Sequence, residues 1–168
     1  MTAGEIYSSI SALAADIVAE CVSRGVRIST AESCTGGMIS GAVTSVSGSS
    51  AVIELGVCSY SNRIKQQTLH VSGDILEKYT EYSVQCAEAM AEGVRRLSGA
   101  DFAVSTTGVA GPTGGSAEHP VGEVCIAVSG AEGCRGERFL FSGDRELVRA
   151  QAAQKALELL SERIKSGG

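Results

Sequence analysis

The sequence predicts an α/β domain: a three-layer α/β/α arrangement around a mixed, mostly parallel sheet, completed by a β-hairpin. Three observations predict it. Segments with helical apolar spacing alternate with short β-branched runs through the first two thirds of the chain, as in a sheet covered on both faces. Two late strand-like runs are joined only through Gly130 to Gly133, which reads as a hairpin and makes the sheet mixed. The length, 168 residues, fits one domain spanning 1–168, enough to hide roughly 70% of the unfolded surface.

The elements follow in order. Thr2-Ala3-Gly4-Glu5 has capping-box spacing and opens a helix. Its face is Ile6, Ile10, Leu13, Ile17 and Cys21, and Gly25 ends it. Val26 to Thr30 is a short β-branched strand, and Cys34 to Thr44 is mildly helical. Val52 to Tyr60 is an apolar run with few polar breaks, which predicts a buried strand. Asn62 to Val71 supports a helical turn or two, and Asp74 with Glu77 starts a short helix. Ser83 caps a longer one with the stripe Ala87, Met90, Ala91, Val94 and Leu97, stopped by Gly99. Asp101 to Thr106 is a strand, and Thr107 to Pro120 a Gly-rich loop. Val121 to Ser129 and Arg135 to Phe141 form the hairpin. Asp144 caps the last helix, whose apolar side is Val148, Ala152, Ala156, Leu159 and Ile164.

Composition narrows the function. Aromatic residues make up 4% and there is no Trp, so the core rests on Val, Ile, Leu, Ala and Met. The net charge is −5 and no Lys/Arg run stands out, which argues against nucleic acid as a partner. An anionic small substrate would need local cations or helix N-termini. The six cysteines, at 21, 34, 58, 86, 125 and 134, show no C-x-x-C pair, and only two histidines could join them. A zinc site is not expected. Met1 to Ser8 does not read as a signal peptide, and no stretch reads as apolar for long enough to cross a bilayer, so a cytoplasmic location and no membrane partner are expected.

In open α/β sheets ligands bind beyond the carboxyl ends of the strands. The loops after Thr30, Tyr60 and Thr106 are therefore the candidate site. The first is Ala31-Glu32-Ser33-Cys34-Thr35-Gly36-Gly37, where a hydroxyl on a strand-to-helix turn is placed as a nucleophile would be. The alternative is that Ser33 or Thr35 is simply an N-cap. Cys34 is the rival nucleophile, since a thiolate at a helix N-terminus is activated. The second loop, Tyr60-Ser61-Asn62-Arg63-Ile64-Lys65, offers a lysine that becomes a general base if burial lowers its pKa; otherwise it is a solvated surface lysine. The third, Thr106-Thr107-Gly108-Val109-Ala110-Gly111-Pro112-Thr113-Gly114-Gly115, lets backbone amides approach an anion, or is a wide surface loop. It is neither a Walker A loop nor a G-x-G-x-x-G fingerprint. His70 and His119 read as surface or loop histidines.

These loops, with Gly48-Ser49-Ser50-Ala51, Pro120-Val121-Gly122 and Gly143-Asp144-Arg145, resemble the CinA C-terminal domain family over about Ile6 to Ile164. Stand-alone members of that family are nicotinamide-nucleotide amidases, which convert nicotinamide mononucleotide (NMN) and water to nicotinate mononucleotide and ammonia. The resemblance implies Ser33 as nucleophile and Lys65 as its general base. It places Tyr60 and Thr107 in the same polar cluster, and it requires neither metal nor cofactor. Amides of the Cys34, Thr35 and Gly36 turn are expected to hold the oxyanion. Gly108, Gly111, Gly114, Gly115 and Arg145 are expected to hold the substrate and its phosphate. A homo-oligomer is implied as well.

The chain departs from the family's usual pattern at Glu81-Tyr82, at Ser116 and at His119, where a lysine is common. Two alternatives therefore stand beside the amidase: a nucleotide-binding protein without turnover, and an amidase for another carboxamide. Larger CinA proteins add an N-terminal nucleotide pyrophosphatase domain, an activity not expected of these 168 residues.

Overall fold

The computed structural model describes residues 2–167. Helix α1 (Ala3–Arg24) begins at a capping box, with Thr2 Oγ1 accepting from the Glu5 amide at 3.3 Å and the Thr2 amide donating to the Glu5 carboxylate at 2.6 Å. It ends at Gly25, whose φ of 64° suits a residue without Cβ. The chain continues through β1 (Ile28–Glu32), the short α2 (Met38–Thr44), a single 3₁₀ turn and β2 (Ile53–Cys58). Then come α3 (Asn62–Leu69), α4 (Gly73–Tyr79), α5 (Val84–Ser98) and β3 (Phe102–Gly108). The hairpin β4 (Glu123–Gly130) and β5 (Gly133–Leu140) leads into α6 (Arg145–Ser166).

The sheet order is β2-β1-β3-β4-β5. β1 pairs in parallel with β2 and β3, while β4 runs antiparallel to both β3 and β5. Four strands thus share one direction and β4 opposes them, and the sheet is open at both edges. Alternation along the strands sends side chains into two separate layers. Ile28, Val104, Val124 and Ile126 join the core under α1, α2 and α6. Ala31, Ala103, Cys125 and Ala127 face α5, with α3 and α4 beside it. The second set is small, which lets α5 lie close to the sheet; the Ser105 hydroxyl donates directly to the Ala87 carbonyl at 2.5 Å.

Several expectations need correction. β2 is not buried on both faces: it pairs only with β1, and Glu54, Gly56 and Cys58 are exposed while Ile53, Leu55 and Val57 are partly covered. Leu97 is 52% exposed, because the buried face of α5 continues from Val94 to Ser98, whose hydroxyl meets that of Ser29 at 2.7 Å. On α6 the core position belongs to Leu160 rather than Leu159. Helix α1 is, by length and a mean hydropathy of 1.3 over 18 residues, apolar enough to cross a membrane, contrary to expectation. Its apolar residues Ile6, Ile10, Ile17, Val18 and Cys21 are instead part of the core beside α6.

Candidate active site

The site is built at the carboxyl ends of β1, β2 and β3. Ser33 follows β1 directly, and its amide donates to the Thr106 carbonyl at 2.9 Å, so the β1–β3 ladder fixes it. Behind it, the buried Glu32 carboxylate folds back under the turn. It accepts from the Thr35 hydroxyl at 2.7 Å, from the amides of Gly37, Ile39 and Ser40 at 3.0, 3.1 and 2.9 Å, and from the Ser40 hydroxyl at 3.0 Å. A carboxylate with five donors is fully compensated for burial. From α6, the Arg149 guanidinium donates to the Cys34 carbonyl at 3.0 Å and the Thr35 carbonyl at 2.9 Å.

This arrangement settles the capping question. Neither Ser33 nor Thr35 caps α2; Gly37 is the N-cap at φ 97°, and Glu32 supplies the acceptor. The amides that open α2 are therefore occupied. The Gly36 amide donates to the Ser33 carbonyl at 3.1 Å, so it is not free for an oxyanion. Among the described residues the amides of Cys34 and Thr35 have no acceptor.

Ser61 caps α3 and holds the Ile64 amide at 3.3 Å. One turn on, Lys65 and Leu69 share the inward face of α3. Lys65 is 1% exposed, and its Nζ donates to Ser33 Oγ at 3.1 Å. Burial lowers its pKa below the ordinary 10.5, opposed in part by the negative charge of Glu81. Cys34 goes the other way: burial pushes its thiol up to about 12. The expectation of an activated Cys34 thiolate therefore fails, since a protonated thiol is a poor nucleophile.

Ser33 and Lys65 open into a cavity of about 370 Å³. Cys34, Tyr60, Gly108, Gly111, Gly114 and Arg145 line it, as do Glu81 and Tyr82, which were not anticipated there. Tyr60 is 62% exposed at the rim, where its hydroxyl accepts from Arg145 Nη2 at 2.9 Å. Arg145 also donates to the Gly111 carbonyl at 2.7 Å, tying the Gly-rich loop to the start of α6. Four expected residues, Thr35, Gly36, Thr107 and Gly115, do not reach the cavity wall. Thr35 is buried beneath the turn against Glu32 and Thr106, Gly36 lies outside, and Gly115 is kept small by the backbone of Val121. Thr107 is buried too; its hydroxyl donates to the Glu81 carbonyl at 2.6 Å and so anchors the segment that carries Glu81. Gly108 has a structural reason to be glycine, because a Cβ there would overlap the Glu123 carbonyl of β4.

The positions that depart from the resembled pattern sit together. His119 is partly buried, not a free loop histidine. Its ring lies 5.6 Å from that of Tyr82, its Nε2 is 3.2 Å from Thr80 Oγ1 and its Nδ1 2.8 Å from the Glu123 carboxylate. The Ser116 hydroxyl accepts from the His119 amide at 3.0 Å.

Residues 10–164 match the family described as the CinA C-terminal domain. A CinA-like protein of Anaeromyxobacter dehalogenans is 47% identical over 144 residues, which are 86% of this chain and 35% of that protein. The chain thus spans about a third of the length of the curated relatives it matches. Among solved structures, the competence/damage inducible protein CihA from Agrobacterium tumefaciens is 40% identical with a TM-score of 0.90, covering 94% of this chain and 96% of that one. The competence damage-inducible protein A from Klebsiella pneumoniae is 34% identical with a TM-score of 0.91, covering 95% and 99%.

Proposed function

The chain belongs to the CinA C-terminal domain family, and on that premise we propose that it is a Ser/Lys amidase that hydrolyses the carboxamide of NMN to nicotinate mononucleotide and ammonia. The observation that carries this reading is the 3.1 Å contact between Lys65 Nζ and Ser33 Oγ, with the amine removed from water. An amine held neutral beside a hydroxyl is the arrangement a general base requires.

In the proposed sequence, neutral Lys65 takes the Ser33 proton as Oγ attacks the carboxamide carbon. The amide of Cys34, which lines the cavity, receives the oxyanion; one such donor contributes roughly 10²–10³ in rate. The lysine ammonium then gives its proton to the departing nitrogen, leaving an acyl-serine and ammonia. Water attacks the ester as Lys65 accepts its proton; Lys65 then returns that proton to the departing Ser33 Oγ, and the product acid loses its own proton to solvent as the carboxylate. Arg145, with the Gly111 and Gly114 backbone beside it, is the group placed to hold a phosphate at the cavity rim.

The test is ammonia release from NMN by the purified protein beside its Ser33→Ala variant. Release that depends on Ser33 supports the reading. Tight NMN binding with no product replaces it with a nucleotide-binding role, and turnover of other carboxamides in preference to NMN moves the substrate while keeping the mechanism.

A further inference from the structure

We propose that Glu81 and Tyr82 make the cavity selective for a substrate whose amide-bearing aromatic ring is positively charged. The inference rests on the amide-hydrolase reading, which places that ring next to Ser33, and it goes further by assigning a recognition role to two side chains outside the chemistry.

The cavity wall is otherwise made of hydroxyls, backbone and small apolar groups, with Lys65 at the nucleophile and Arg145 at the rim. Glu81, Tyr82 and Tyr60 line it as well, and the Glu81 carboxylate acts on both the Tyr82 phenol and Lys65. A carboxylate and two phenol rings lining one cavity supply the charge and the aromatic surface that stabilise a delocalised organic cation. The Tyr82 phenol keeps its proton at neutral pH, since burial and the adjacent Glu81 raise its pKa.

The segment that carries the pair is firmly held. Thr107 binds the Glu81 carbonyl at 2.6 Å, and the Cys125 thiol reaches the Tyr82 carbonyl at 3.2 Å. Just before it, Thr80 adopts φ 68°, a conformation costly for a β-branched residue. Four contacts hold it there. Its hydroxyl accepts from the Tyr82 amide at 3.2 Å and meets His119 Nε2 at 3.2 Å, its carbonyl accepts from the Ser83 hydroxyl at 2.8 Å, and its own amide donates to the Leu76 carbonyl at 3.2 Å. The His119 ring then lies against that of Tyr82, tilted by 55° to it. A strained turn pinned from three elements fixes where the two side chains enter the cavity.

The experiment measures binding to the Ser33→Ala protein by calorimetry, with NMN and its reduced dihydropyridine form as the probes. The two differ in ring charge and share the ribose phosphate. NMN is expected to bind roughly tenfold more tightly. That ratio should fall to about one in Ser33→Ala/Glu81→Gln and persist in Ser33→Ala/Glu81→Asp, which keeps the charge. In the Ser33 protein, Glu81→Gln should also move the acid limb of kcat/KM to lower pH, because it removes a negative charge near Lys65. Equal affinity for the two probes, equal loss of both on Glu81→Gln, or binding of neither overturns the proposal. Charge preference without ammonia release overturns the hydrolase reading alone; ammonia release without charge preference overturns this inference alone.

Discussion

Ser33 and Lys65 lie 32 positions apart in the chain, yet their polar atoms meet at 3.1 Å. In the proposed mechanism both act in one proton transfer, so removing either should cost about the same. Ser33→Ala and Lys65→Met are each expected to reduce ammonia release by at least roughly 10³-fold, and the double variant no further, as groups acting as a unit do. The acid limb of the rate profile should report Lys65: activity rises with pH as the amine loses its proton, with its inflection below the ordinary 10.5. A limb unmoved in every variant that alters the surroundings of Lys65 would assign it to another group. Cys34 gives the contrasting case. With its thiol at about 12, Cys34→Ser should retain activity within a few fold, and mass spectrometry after iodoacetamide at neutral pH should find Cys34 unmodified while the exposed Cys58 reacts faster. Ser33 and Lys65 were legible in the sequence because a hydroxyl and an amine stood on successive strand ends. Glu32 and Arg149 were not: a charged residue beside a serine carries no spacing signal for a side chain folded back beneath its own turn.

The turn after β1 works as one element, and Glu32 is its keystone, with five donors converging on one buried carboxylate. Glu32→Ala would leave those donors buried without a partner, a loss of about 3–5 kcal/mol. Chemical denaturation should show that loss, and amide exchange at Ile39 and Ser40 should accelerate with it. At the neighbouring strand, Gly108→Ala is expected to destabilise the β3–β4 pairing by about 1–3 kcal/mol, since the new methyl group meets the Glu123 carbonyl rather than a movable side chain; its denaturation midpoint checks this. Element boundaries show the same limit of sequence reasoning. α3 looked like a turn or two because its one strongly inward residue besides Leu69 is a lysine, which interrupts the apolar stripe that would announce a helix. β2 looked fully buried because its run is apolar, while its position at the sheet edge depends on strands that come much later in the chain.

Across the whole molecule, the three layers and the late hairpin could be read from the alternation of periods, because each layer buries one face of each element. The division of labour between the layers could not: large aliphatics meet α1 and α6, small residues meet α5, and only the strand order decides which. The buried amine also marks the stability of the whole chain. Unfolded, Lys65 holds its proton to about pH 10.4; folded, it releases it at lower pH. Between those two values the unfolded state binds more protons, so stability rises with pH across that window. Below it the folded state bears the full cost of a sequestered charge. Lys65→Met should therefore melt higher than the unsubstituted protein at neutral pH, by roughly 2–4 °C per kcal/mol regained, with the difference shrinking toward pH 10. Calorimetry across that range checks the sign. Arg149 carries a different consequence, because it grips the carbonyl of Cys34 from 115 residues further along. During synthesis the serine leaves the ribosome long before that grip exists. A growing chain cannot complete the turn around Ser33 until the helix that carries Arg149 has emerged, so that turn is among the last parts of the domain to take its final form.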